Sequence, residues 1–388
     1  MSTPDPELEQ RIIAADRALA ERNPARARDI LESAAPANPQ VPDFWQRLAT
    51  VRQMTGAPAM AIEAIDHALS LAPLDFMNLL MRARMLDQAG HAEAGEAYGR
   101  ALAQPRPDPL PTVLAQAITR AEALWAAHQQ GTEGRINAAV EASGADLTTA
   151  ERRRADRLAS NIARRTRAYH SEATHFHYPG LREAEFHDRE LFPWLDELEA
   201  LTPKIRAEMD TVANAADAQL VPYVNYADSE PLAQWRELNH SRDWTAIHLV
   251  ERGETVAGNA AHCPQTMAFL QDMEQPWVAG CGANAMFSLL APRTTIPAHV
   301  GVANFRLLCH LPLIVPGRCW FRVGAETRDF EQGKAWVFDD TIEHEAQNET
   351  DQLRVILIFD LWHPDLSPAE REAIAATVAA AAMPVGAL

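Results

Sequence analysis

The sequence predicts an α+β chain: helical repeats over residues 1–108, a helical linker over 109–170, and a β-rich domain closed by a C-terminal helix over 171–388. Three observations predict it. An Ala-, Leu- and Arg-rich pattern recurs about every 34 residues in the first part. Pro105, Pro107 and Pro109 then stop helix formation. Beyond residue 171, aromatic, proline and β-branched residues rise between frequent turn signals.

The repeat is direct. Residues 61–69 align with 94–102 at an offset of 33, and Gly56 with Gly90 at an offset of 34. An earlier copy, 27–34, sits 34 residues before the first of these, and Pro36, Pro73 and Pro105 follow the three copies. This period of helix, glycine turn, helix and proline resembles the tetratricopeptide repeat, whose helix pairs stack and leave a concave groove. A plain helical bundle is the competing reading. Neither gives the region chemistry of its own; a groove of this kind suits a protein partner.

In the linker, Thr148 and Glu151 form a capping-box pattern that opens a basic stretch of Arg152, Arg153, Arg154, Arg157, Arg164, Arg165 and Arg167. Two readings stand: a solvated or bracing helix face, or a docking surface for an acidic partner. The chain's formal net charge of −18 excludes nucleic-acid binding as its general business, since phosphate contacts need clustered cations. No stretch approaches the roughly 20 apolar residues of a membrane span. The acidic N-terminus is unlike a secretory signal, so a cytoplasmic location is expected. Cys263, Cys281, Cys309 and Cys319 lack CxxC spacing and read as reduced, mostly buried thiols.

In the β region, strands are expected at 285–291, 305–315, 319–323, 334–338 and 353–361, as in a sandwich or barrel. Ser367, Pro368 and Glu370 supply the start of the closing helix. His299 and His344 lie on early and late strands, and Arg354 follows inside an apolar run. In a jelly roll these three can converge in one cavity. Such a cavity suits an imidazole-bound iron with an anionic cosubstrate held by guanidinium. His175, His177 and His187 precede the barrel and favour structural or exposed roles. His363, between Trp362 and Pro364, suggests packing and turn formation. Asp339 and Asp340 could orient an imidazole or cap the turn before His344.

Residues 287–364 resemble the catalytic core of the aspartyl/asparaginyl β-hydroxylase family. The matching pieces are HVGVANFR from His299, HLPLIVP from His310, FDDTIEHE ending in Glu345, and RVILIFDLWHP from Arg354; a weaker match runs upstream through Trp194 and Trp244. The resemblance implies a double-stranded β-helix (jelly-roll, cupin-like) domain and an Fe(II)- and 2-oxoglutarate-dependent dioxygenase. It makes His299 and His344 the iron ligands and Arg354 the partner of the distal carboxylate of 2-oxoglutarate. Ser288 assists that carboxylate and His310 lies near the other. Most 2-oxoglutarate oxygenases carry a carboxylate two residues after the first His; the family lacks it, and Gly301 stands there.

One position departs from the pattern. Animal members have an Arg where this chain has Leu308, which leaves Arg306 as the nearest motif-matched cation for a substrate acid group. Strand alternation puts 306, 308 and 310 on one face, so Arg306 is expected to point with His310 into the cavity. The implied reaction is hydroxylation of an Asp- or Asn-type side chain in a protein or peptide. The alternatives are hydroxylation of a lipid acyl chain or small molecule, a cupin that binds a sugar or acid through a metal, and a non-catalytic repeat-based interaction protein.

Overall fold

The computed structural model describes residues 6–37, 39–216, 218–227, 235–278 and 282–381. Cys281 lies outside them. The chain forms two compact units that divide between Thr166 and Arg167.

The first unit is a run of helix hairpins: α1 (Pro6–Ala20), α2 (Pro24–Ala34), α3 (Pro42–Met54), α4 (Pro58–Leu71), α5 (Phe76–Gln88), α6 (Ala94–Leu102), α7 (Thr112–Ala142) and α8 (Thr149–Ile162). The helix pairs are tetratricopeptide-like. Gly56 and Gly90 take φ of +77° and +66° just past α3 and α5, the left-handed conformation that ends a helix without a Cβ penalty. Arg22 occupies the matching turn of the first pair at φ +56°. Ala34, Ala68 and Ala101 are buried where second helices cross their neighbours, so small side chains set the repeat spacing.

The stretch expected as a linker is not a separate connector. Leu114, Ile118 and Ala121 of α7 join the core of α5 and α6. Gly95 and Gly99 make the close approach possible: a Cβ on either would collide with His128 or Trp125 of α7. The capping box of Thr148 and Glu151 forms as expected. Arg164 pairs with Glu96 at 3.0 Å and Arg165 pairs with Glu133, so part of the basic stretch braces acidic neighbours.

The second unit holds α9 (Leu195–Ala200), α10 (Thr202–Ala213), α11 (Ala257–Ala260), α12 (Pro264–Asp272) and α13 (Pro368–Ala381). Its strands are β1 (Leu220–Pro222), β2 (Trp244–Glu251), β3 (Glu254–Thr255), β4 (Ala285–Leu290), β5 (Thr295–His299), β6 (Arg306–Ile314), β7 (Cys319–Val323), β8 (Glu326–Asp329), β9 (Trp336–Phe338), β10 (His344–Asn348) and β11 (Arg354–Trp362). The five expected strands are β4, β6, β7, β9 and β11. The larger antiparallel sheet runs β1-β2-β4-β11-β6-β9, with β3 on β2; the smaller runs β5-β10-β7-β8.

The central strand β11 explains its own unbroken apolar run. Val355, Leu357, Phe359 and Leu361 face the helix-covered core. Ile356 and Ile358 face the smaller sheet with Phe321, Val323 and Ala346. A strand buried on both faces has no polar side to alternate with. The two polar exceptions on the inner face, Arg354 and Asp360, are 1% exposed. Buried charges persist where something pairs with them, so both mark the cavity between the sheets.

Candidate active site

His299 ends β5 and His344 begins β10, and the two residues are register partners. Their ring centroids lie 4.0 Å apart. Each Nδ1 meets the carbonyl two residues earlier: His299 that of Pro297 at 2.7 Å, His344 that of Ile342 at 3.0 Å. A carbonyl only accepts, so each Nδ1 carries the proton and each Nε2 keeps its lone pair for the cavity. Burial holds both rings below the ordinary histidine pKa, His344 down to about 4. Two neutral imidazoles presented side by side are metal donors. Among the described residues no group of three or more His, Cys, Asp or Glu is arranged around a metal position.

Behind the pair, Ser288, His310 and Arg354 line one inner cavity with both histidines. Ser288 on β4 is fully buried and accepts a hydrogen bond from Trp244 Nε1 at 2.9 Å. His310 on β6 packs its ring 4.6 Å from Phe338, and its Nδ1 has no hydrogen-bond partner. Burial, then the adjacent Arg354 charge, keeps it neutral. Arg354 sits 5.1 Å over the Phe330 ring, its Nε unpartnered, and burial lowers its pKa to about 10. It makes no ion pair with a carboxylate among the described residues. A guanidinium left in that state calls for an anion from outside the chain.

The outer cavity opens toward Tyr223, Tyr226, Trp235, Met286 and Leu308. Arg306 lines it, on the same face as His310, but its charge is already used. Its guanidinium lies 2.6 Å from Asp360 and 3.2 Å from Asp340, all three residues at most 3% exposed. Arg306 was expected to meet a substrate acid. The structure gives it two internal carboxylates instead, because β11 places Asp360 beside the start of β6 and the turn before β10 delivers Asp340.

The two turn aspartates divide the roles the sequence left open. Asp339 caps the turn, accepting from the Thr341 backbone N–H at 2.9 Å and from its hydroxyl. Asp340 enters the cavity. A Cβ at position 301 would lie 2.2 Å from its Oδ2, so Asp340 fills the space that a side chain at 301 would take. Its Oδ1 is buried without a hydrogen bond.

The remaining histidines stay apart from this site. His175 and His177 are exposed. His187 is buried 5.3 Å from the His363 ring. His363 accepts from the Asp365 N–H at 3.2 Å and donates to the Arg182 carbonyl at 3.1 Å, the turn-forming role expected of it. Sequence reasoning gave no role to Tyr223, Trp235 or Asp360. The first two stand in irregular segments, and only the carboxylate in an apolar strand was a signal.

Residues 199–364 match the family model described as aspartyl/asparaginyl beta-hydroxylase. The chain is similar to aspartate beta-hydroxylase domain-containing protein 2 of Xenopus tropicalis, 33% identical over 196 residues, covering 50% of this chain and 49% of that protein. It is also similar to human aspartyl/asparaginyl beta-hydroxylase, 33% over 147 residues, 37% of this chain and 19% of that one. The ornithine lipid ester-linked acyl 2-hydroxylase of Rhizobium tropici is 33% identical over 202 residues, 51% of this chain and 68% of that protein. The chain spans about half the length of the first of these relatives. Among solved structures, the Yersinia enterocolitica secretion chaperone SycD with a peptide of the translocator YopD overlaps 31% of this chain and 90% of its own, at 20% identity and a TM-score of 0.28. With the site's strands inside the matched region, and two thirds of a relative's length covered, the chain belongs to the aspartyl/asparaginyl β-hydroxylase family.

Proposed function

We propose that the protein is an iron(II)- and 2-oxoglutarate-dependent hydroxylase. The observation that carries this is Arg354: a buried guanidinium without a carboxylate partner among the described residues, in the cavity that holds the two imidazoles. His299 and His344 would hold the metal through Nε2, and the residues present fit such a group. Both rings are neutral, both are fixed in one tautomer, and the unpartnered Asp340 Oδ1 offers an acceptor for metal-bound water. Arg354 would pair with one carboxylate of 2-oxoglutarate, assisted by Ser288, while neutral His310 stands near the other. Bound together, iron(II) and 2-oxoglutarate would let dioxygen convert a C–H bond to C–OH, one oxygen atom going to that hydroxyl and the other to the succinate left when 2-oxoglutarate loses carbon dioxide.

The chain's own work is placement and dryness. Trp244 orients Ser288 through the indole N–H. Phe321, Phe330 and Phe338 surround His310 and exclude water from the carboxylate site. The helical unit would engage the substrate or another protein partner through its stacked hairpins. The test is anaerobic titration of the chain with iron(II) and 2-oxoglutarate. The visible charge-transfer absorption of the chelate should develop, and exposure to oxygen should release succinate. No absorption and no succinate would reject the reading.

A further inference from the structure

The outer cavity carries a charge arrangement of its own. Asp360 is held by the Asn284 backbone N–H at 2.8 Å and its side-chain amide at 2.9 Å. Arg306 bridges from Asp360 to Asp340. One guanidinium thus faces two carboxylates, and freeing it for a ligand would strand Asp360, 1% exposed, without its counter-ion. Leu308 stands next to Arg306 on the same face of β6 and borders both cavities, presenting an isobutyl group to an entering ligand. Apart from Asn284 and the two histidines, the other described lining residues are flat or aliphatic. Tyr223 stacks on Trp244 at 3.8 Å and 9°, and Trp235 meets the His299 ring edge-on at 4.6 Å. Arg236, beside Trp235, is exposed and is not among the residues lining the cavity.

We propose that the Asp340–Arg306–Asp360 triad and Leu308 act together as a charge filter: the outer cavity rejects anionic groups and takes an uncharged aliphatic chain. This rests on the reading above only in taking the outer cavity as the substrate's seat. A carboxylate entering here would lose its hydration and meet a guanidinium already shared between two like charges, so its desolvation is not repaid. A methylene chain loses nothing polar and gains contact with aromatic faces and with Leu308 and Ile358. Discrimination comes from a repulsive element as much as from an attractive one.

The experiment is isothermal titration calorimetry of the full chain, held anaerobic with iron(II) and 2-oxoglutarate so that Arg354 is occupied and nothing turns over. The probes are decanamide and decanoate, alike in length and different in charge, and a short Asn-containing peptide. Decanamide is expected to bind at least tenfold more tightly than each of the others. In Leu308→Arg the ratio of decanamide to decanoate affinity should fall at least tenfold. If that variant does not fold, the ranking in the unaltered chain decides alone. Decanoate or the peptide binding as tightly as decanamide overturns the proposal. Titration of 2-oxoglutarate alone separates the two readings: its failure to bind rejects the oxygenase function. The probe ranking, repeated in Arg354→Met, still tests the filter in that case.

Discussion

His299 and His344 face one another as register partners across β5 and β10, ring centroids 4.0 Å apart, each with its Nδ1 proton given to a backbone carbonyl. The geometry exists before any metal arrives, so ligation needs no tautomer change and no ring rotation. Removal of either imidazole should therefore cost iron(II) affinity more than the roughly 10–100-fold typical of losing an outer partner. His299→Ala and His344→Ala should both keep their circular dichroism spectrum and lose iron(II) binding, measured by equilibrium dialysis under argon. Unchanged iron(II) binding in either would remove that residue from the metal site.

Arg354 makes a different kind of prediction, because an unpaired buried charge is a cost until its anion binds. Arg354→Met should raise the melting temperature of the ligand-free chain and abolish the further rise that 2-oxoglutarate produces by binding the folded state. Arg354→Lys keeps the charge but loses the two-pronged pairing, and should raise the 2-oxoglutarate concentration needed for half-saturation on the order of tenfold. Differential scanning fluorimetry across a 2-oxoglutarate series reads both effects. Equal responses in the native and Met chains would place the carboxylate elsewhere.

Gly301 and Asp340 are coupled by space. A methyl group at 301 would stand 2.2 Å from the Asp340 carboxylate, which its pairing with Arg306 at 3.2 Å holds in place. Gly301→Ala should destabilise the chain by about 1–3 kcal/mol, the range for overpacking. In an Asp340→Ala background the same change should cost much less. A double-mutant cycle in urea measures the coupling, and simple additivity of the two changes would show that Asp340 does not occupy the space of a side chain at 301.

The sequence made some of this site legible because some residues are isolated signals. Arg354 stood out as a charge in an apolar strand, and His299 and His344 through the HVGVANFR and FDDTIEHE motifs that carry them. The Arg306 pairing was not legible, since its two partners come from 34 and 54 residues away and only the β11–β6 register brings Asp360 alongside. In the helical unit the period showed the hairpins plainly, yet it ran out at Pro105. The packing of α7 onto α6 depends on Gly95 and Gly99 receiving His128 and Trp125, a complementarity between non-repeating residues that no period reveals. Among the strands, β1, β2, β3, β5, β8 and β10 escaped notice, β5 and β10 for a related reason. β10 reads HEAQN, with Glu345 and Gln347 on the half-exposed face of its sheet, and the edge strand β5 contains Pro297. Both are strands because of what they pair with, not because of intrinsic preference.

His187 provides a test of the acid side of stability, away from the proposed chemistry. It is 7% exposed, neither ring nitrogen has a hydrogen bond, and burial lowers its pKa to about 3. Its folded pKa is therefore below its unfolded value of roughly 6.5. Between those two values the unfolded chain binds the proton and the folded chain does not. The stabilisation is complete above about pH 6.5 and is lost progressively as pH falls toward 3. Replacing the ring by a phenyl group removes both the titration and the unpaired nitrogens while keeping the contacts with Phe192 and His363. His187→Phe should be at least as stable as the native chain at neutral pH. By pH 4 it should be more stable by on the order of 2 kcal/mol, so that its melting temperature falls less steeply with acid. Asp339, raised by burial to about 7, works in the opposite direction: its contribution is present at low pH and lost as pH rises through 7. That term is common to both proteins, so the difference between their melting curves isolates His187. Parallel curves from pH 7 to pH 4 would mean that the ring is protonated in the folded state after all, and that a partner reaches it.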